Sequence, residues 1–171
     1  MTRKSSEGTN VMPVSIRLAQ VADAGHLVRL TAQLGYDITT EDASARLQRV
    51  LERPDQRFFI ADVDDGRPVG WLHAARVEYF ESGACVVING LVVDSDCRGA
   101  GVGRLLLEQA EQWAREESIG IVRVWSSDQR HRAHRFYERE GYTVVKTQLA
   151  FVKTLDGKPR DLAGYAPRVQ P

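Results

Sequence analysis

Cysteine is nearly absent from this chain, which carries only Cys85 and Cys97. Two thiols match no metal-ligand spacing and cannot staple a small fold, so a disulfide scaffold is excluded and both read as reduced, structural side chains. Long apolar runs are also missing. None reaches the length that spans a bilayer, and the start Met1-Thr2-Arg3-Lys4-Ser5-Ser6-Glu7-Gly8 lacks the apolar centre of a secretory signal. The expectation is a cytoplasmic protein that does not engage a membrane. An excess of either charge is the third absence: Lys+Arg and Asp+Glu both number 23, for a formal net charge of +0. Such a balance offers no overall field to draw in nucleic acid. No internal repeat or low-complexity tract is visible. The four histidines include His131 and His134 on adjacent helical turns, but no third or fourth ligand stands at a zinc spacing, so no metal is expected.

What remains is material for one domain. A hydrophobic fraction of 43% over 171 residues is ample for a single core. Residues 1–13 are polar and expected to be disordered, residues 14–155 to form the folded domain, and residues 156–171, with Pro159, Gly164, Pro167 and Pro171, to form an irregular tail. Val14-Ser15-Ile16-Arg17-Leu18 alternates as a strand with one buried face. Asp23 is placed to cap a helix with Leu27, Leu30, Thr31 and Leu34 on one stripe, ending at Gly35. A second helix runs from Thr40, carries Ala43, Leu47, Val50 and Leu51, and stops before Pro54. The link between them exposes Tyr36 and Asp37. Phe58–Val63 and Pro68–Val77 flank Asp64-Asp65-Gly66, a hairpin signal. The acidic, aromatic turn Glu78-Tyr79-Phe80-Glu81 leads into the next strand.

That strand, Val86–Val93, feeds the stretch with the clearest chemistry: Asp94-Ser95-Asp96-Cys97, then Arg98-Gly99-Ala100-Gly101-Val102-Gly103-Arg104, then an amphipathic helix with Val102, Leu105, Leu106, Ala110 and Trp113 inward. A strand, a glycine-rich loop and a helix start bring unpaired N–H groups and a positive dipole end to one point, an anion site suited to phosphate or pyrophosphate. Glycines without other meaning also make tight turns, but three of them alternating between two arginines exceed that need. The dinucleotide fingerprint fails, because its third glycine falls on Arg104 or Leu106. The P-loop fails too, because Gly103-Arg104-Leu105 has no hydroxyl for magnesium. Ile121–Trp125 reads as a buried strand reached by crossover and parallel to Val86–Val93. Ser127 or Asp128 is placed to cap a last helix bearing Ala133, Phe136 and Tyr137, with Gly141 as its stop. Tyr142–Lys153 alternates as a final strand.

Two of these motifs resemble the Gcn5-related N-acetyltransferases. Arg98-Gly99-Ala100-Gly101-Val102-Gly103 meets the family's acetyl-CoA signature, Arg/Gln-x-x-Gly-x-Gly/Ala, after the family-like Leu91-Val92-Val93-Asp94. Ser126, Arg130, Ala133, His134, Phe136, Tyr137, Gly141 and Tyr142 match its second segment, with Ser127 where asparagine is usual. The resemblance implies an α+β fold: a mostly antiparallel, twisted sheet with helices on both faces and one parallel, splayed strand pair. It implies acetyl-CoA as co-substrate, bound by Leu91, Val92, Val93, the loop Arg98, Gly99, Ala100, Gly101, Val102, Gly103, Arg104, and by Ser127, His134 and Tyr137. Tyr137 would be the general acid toward the departing thiolate. Asn89 stands where many members carry an acidic base, which leaves a water chain or one of Glu81, His73, Glu78 and Asp37 for that role; Tyr36, Asp37, Glu78 and Asn89 would line the acceptor. The expected acceptor is a small-molecule amine, with protein or peptide acetylation and a catalytically impaired CoA sensor as alternatives. A nucleotide-binding module unrelated to CoA is a further one. The resemblance also implies a homodimer.

Overall fold

The computed structural model describes residues 13–63 and 66–155. The expectations for residues 1–12, for Asp64 and Asp65 in the first hairpin turn, and for 156–171 lie outside the described residues. Five strands run in the order β1 (Val14–Leu18), β2 (Gln56–Val63), β3 (Arg67–Tyr79), β4 (Gly83–Val93) and β5 (Val122–Val124). Neighbours pair antiparallel except β4 and β5, which are parallel. The helices are α1 (Ala24–Ala32), α2 (Thr40–Leu51), α3 (Val102–Glu116) and α4 (His131–Arg139). No helix among the described residues is long and apolar enough to cross a membrane.

The sheet is covered on both sides, and the side-chain alternation of its central strands divides accordingly. Phe59, Ala61, Val63, Leu72, Ala74, Val86 and Ile88 pack with Leu106, Leu107, Ala110 and Trp113 of α3. On the other face Ile60, Trp71 and Val92 meet Leu27, Leu30 and Leu47 of α1 and α2. Burial on both faces is why β2 and β4 read as nearly continuous apolar runs, although their pairing with β3 is antiparallel.

Helix starts show where local chemistry agreed with the fold and where it yielded. Thr39 is extended, at φ −79° and ψ 162°, and its hydroxyl accepts from the Asp42 amide, so it caps α2. Glu41 and Asp42 in the first turn complement the helix dipole. Removing that cap with Thr39→Ala is expected to cost about 1 kcal/mol, a fall of roughly 2–4 °C in Tm for a domain of this size; a thermal melt checks it.

Asp23, by contrast, does not cap α1. Its carboxylate accepts from Arg17 Nη2 at 2.8 Å and from the Gln20 amide at 2.7 Å, and the Arg17 guanidinium, which also bonds Asp62, holds the Asp23 carboxyl below its usual range. The ion pair outcompetes the cap because it satisfies a buried charge. Neither Ser127 nor Asp128 caps α4; Arg130 takes that position, with no side-chain cap.

Two strand expectations are also corrected. The parallel strand is three residues long, and Ile121 and Trp125 at its ends are about half exposed. Residues Tyr142–Lys153 form no strand: they carry no pairing and lie exposed beyond Tyr142. Alternation shows which face a strand would bury, but it cannot supply the partner that makes a strand.

Candidate active site

β4 and β5 pair only at Val86–Val122, Val87–Arg123 and Ile88–Val124. Directly after Ile88 the register of β4 on β3 slips: Ala74 faces Ile88, and His73 faces Gly90. Asn89 is therefore the extra, bulged residue, and it is exposed. A bulge bends its strand and raises the local twist. Here it falls where the parallel pair parts, so β4 continues to Val93 with one edge unpaired by β5. N–H and C=O groups of that edge face the gap.

At the end of the gap the chain turns through a short 3-10 turn, Ser95–Cys97, into the glycine loop. Gly99 and Gly101 have φ of +85° and +83°, a region that L side chains rarely adopt. Gly101 is the N-cap of α3 and supplies no side-chain cap, so the first amides of α3 are left for an anion. Gly103 serves a different purpose. A Cβ there would lie 3.0 Å from Phe136 of α4 and 3.6 Å from Val93, so the missing side chain lets α4 close against the start of α3 and the end of β4.

Phe136 brings its neighbour with it. The Tyr137 ring lies between Phe136, tilted against it at 5.2 Å, and Tyr142, edge-on at 5.7 Å. Burial pushes the Tyr137 phenol up to about 12, against the lowering charge of Arg130. Ser127 and His134 are joined: His134 Nε2 lies 2.8 Å from the Ser127 carbonyl, which fixes the turn leading into α4.

A second group of polar residues braces the loop from the α1 side. Asp94, buried at the end of β4, pairs with Arg29 and accepts from the Asp96 amide. The Arg29 guanidinium holds the Asp94 carboxyl below its usual range. Gln33 Oε1 accepts from the Ser95 amide at 3.0 Å and from Arg98 Nη2 at 3.3 Å, and Arg98 Nε donates to the Val93 carbonyl. Arg104 is exposed and donates to Glu108 at 2.8 Å.

The family model described as "Acetyltransferase (GNAT) family" matches residues 26–142. The chain belongs to the GNAT acetyltransferase family. An aminoglycoside N(6')-acetyltransferase of Stenotrophomonas maltophilia is 31% identical over 131 residues, 71% of this chain and 82% of that protein. A peptidyl-lysine N-acetyltransferase of Escherichia coli is 28% identical over 161 residues, 91% of this chain and 97% of the other. Among solved structures, an aminoglycoside N-acetyltransferase in complex with CoA superposes with a TM-score of 0.77 at 18% identity, covering 86% of this chain and 99% of that one; at such identity it shows the fold alone. The chain spans about half the length of the first curated relatives it matches, 49% and 41%.

Around this GNAT cleft the remaining residues named from the sequence are dispersed. His73 stands opposite Gly90, beside the bulge, half-buried and stacked on Phe58 at 5.5 Å. Its Nε2 lies 2.8 Å from Gln56 Oε1, and burial pushes its pKa down. Tyr36 is half-buried and Asp37 exposed in the α1–α2 link. Glu78 faces Ala84 across the β3–β4 hairpin, with Glu81 in its exposed turn, roughly 20 Å along β4 from Gly90. Those two carboxylates are not brought to the gap.

Sequence reasoning missed Gln33 and Arg29, which carry no motif, and it named Arg130 only as a match to the family's second segment. Arg130 is half-buried, and its Nη2 donates to the Leu34 carbonyl at 2.9 Å. It thus ties the start of α4 to the far end of α1.

Proposed function

We propose that this chain moves an acetyl group from acetyl-CoA to the primary amine of a small molecule by direct attack. The observation that carries the reading is the parting of β4 and β5 at Asn89, with the uncapped start of α3 at its end and the α4 aromatics packed against both. The residues present suit the donor. Amides opening α3, within the run Arg98, Gly99, Ala100, Gly101, Val102, Gly103 and Arg104, fit a pyrophosphate. The free edge at Leu91, Val92 and Val93 fits the amides of an extended arm, and Ser127 and His134 are the further donor contacts we assign.

The chemistry needs no nucleophile from the protein. The amine nitrogen bonds to the thioester carbonyl carbon and gives up one proton to the base, the carbon–sulfur bond breaks, and the sulfur leaves as a thiolate that takes its proton from solvent. Amides of the β4 edge are placed to stabilise the charge that develops on the carbonyl oxygen. Tyr137 keeps its proton at neutral pH and donates a hydrogen bond to the sulfur. His73 is the base we assign, because it lies beside the bulge whereas Glu78 and Glu81 stand at the other end of the hairpin. With Gln56 Oε1 accepting from Nε2, Nδ1 is the basic atom. Tyr36, Asp37 and Asn89 line the acceptor side.

The lowered His73 pKa makes the imidazole neutral, and so able to accept a proton, down to a pH below its ordinary value of about 6.5. The expected kcat/KM profile therefore has a rising limb centred below pH 6.5, separate from that of the acceptor amine. In His73→Gln that limb disappears; a limb unchanged in the variant removes His73 from the mechanism.

The aminoglycoside-acetylating relative supports a small-molecule acceptor. Its counterpart acting on peptidyl lysine spans 91% of this chain and supports the second reading, a protein substrate. Initial rates over a panel of aminoglycosides and polyamines, set beside a lysine peptide library, test the choice. Turnover confined to peptides overturns it.

A further inference from the structure

Arg123 is held by aromatic rings rather than by an anion. Val122 and Val124 of β5 pack toward α3, so Arg123 between them projects from the opposite face of the sheet. It is half-buried. Its guanidinium carbon lies 5.2 Å from the centre of the Tyr79 ring and 5.8 Å from that of Trp125. Among the described residues Arg123 enters no ion pair. Glu78 stands between Val77 and Tyr79 in β3 and alternates onto the other face. A guanidinium set over aromatic rings makes that contact with its flat surface. Its N–H groups point outward in its own plane, in a fork that matches a carboxylate.

The sheet gives that fork a use. Arg123 pairs with Val87, and Val87 with Ala75, so the three share one face. His73, opposite Gly90, is the next residue of β3 on that face. Trp71, one step further, packs there with Leu27, Leu30 and Leu47 of α1 and α2, which rest on β2 and β3. β4 and β5 part at Asn89, two residues past Val87 and so roughly 7 Å along the strand. The face that bears the assigned base thus bears, on its β5 side, a cation with no ion-pair partner among the described residues.

We propose that Arg123 anchors an anionic group of the acceptor, which makes the acceptor a small primary amine with a carboxylate several bonds from its nitrogen. The inference rests on the small-molecule reading above and narrows it. With its carboxylate on Arg123, the substrate runs past Ala75 toward His73 and the parting of the strands, where its amine meets the thioester. Tyr79 and Trp125 hold the fork in place, so less freedom is lost when the carboxylate binds. A polyamine brings an ammonium to the same point and is repelled.

Amines of equal chain length test it. ω-Aminohexanoate is expected to show a kcat/KM about 10–100-fold above those of hexylamine and hexamethylenediamine, the range that a hydrogen bond between charged groups supplies. In Arg123→Gln the preference over hexylamine disappears. In Arg123→Glu the diamine leads, a gain that a damaged fold cannot produce. Equal kcat/KM for these amines in the parent, or a preference for ω-aminohexanoate that survives in Arg123→Gln, overturns the proposal. Isothermal titration of ω-aminohexanoate into the CoA-loaded chain separates this inference from the reading beneath it. Binding that weakens about 10–100-fold in Arg123→Gln supports the anchor even where no amine is acetylated. No binding by the parent, or acetylation of small amines without that weakening, overturns the anchor alone.

Discussion

Tyr137→Phe is expected to lower kcat by about 10²–10³-fold, the range that a positioned proton donor supplies, with the affinity for acetyl-CoA nearly unchanged. The substitution removes one hydroxyl and keeps the ring, so the aromatic contacts with Phe136 and Tyr142 persist. Among the described residues the Tyr137 hydroxyl makes no hydrogen bond, so the fold loses no partner with it. A phenol held near about 12 is more weakly acidic than a thiol near ~8.5. Its proton therefore strengthens a hydrogen bond to sulfur rather than leaving in full before the bond breaks. The same value implies that deprotonation of Tyr137 takes nothing from kcat below pH 10. Steady-state rates with isothermal titration of acetyl-CoA check the pair of expectations; an unchanged kcat removes Tyr137 from the chemistry.

Gly101→Val is expected to weaken acetyl-CoA binding about 100-fold, or roughly 2.7 kcal/mol, while kcat at saturating donor changes little. Valine at φ +83° is strained by roughly 1–3 kcal/mol, and its branched Cβ is the least tolerant of that region. The chain escapes the strain by turning the loop, and that turns away the amides at the start of α3. Each charge-assisted bond to phosphate lost in this way is worth roughly 1.5–3 kcal/mol. Titration of acetyl-CoA into the variant checks it, with circular dichroism confirming that α3 is intact. Equal affinity in variant and parent excludes the loop as the donor site.

Legibility from the amino acids followed the range of the interaction concerned. The glycine loop and the helix after it are local patterns, and residues 98–116 show in full why they form. The parallel pairing of β5 was also readable, since a crossover helix forces it. The bulge at Asn89 was not. Asn89 stood out as a residue that cannot be a base, but its place between two registers depends on β3, which is remote in sequence. Caps divided the same way. Thr39 had no competitor for its hydroxyl, whereas Asp23 met Arg17, and a charge partner prevailed over an amide. The acidic turn Glu78–Glu81 suited a cationic acceptor by composition, and hairpin length alone carried it to the other end of the sheet. Tyr142–Lys153 had the pattern of a strand, and whether a pattern becomes a strand is decided by what lies beside it.

The bond from Arg130 to the Leu34 carbonyl joins residues 96 apart in the chain and spans the two banks of the cleft. On one side α4 carries the phenol; on the other, Gly35 and Tyr36 lead into the link between α1 and α2. A guanidinium shared in this way makes the order of one bank a condition of the order of the other. Whatever stiffens the α1–α2 link lowers the entropy left for α4 to lose, and the same gain is returned in the opposite direction.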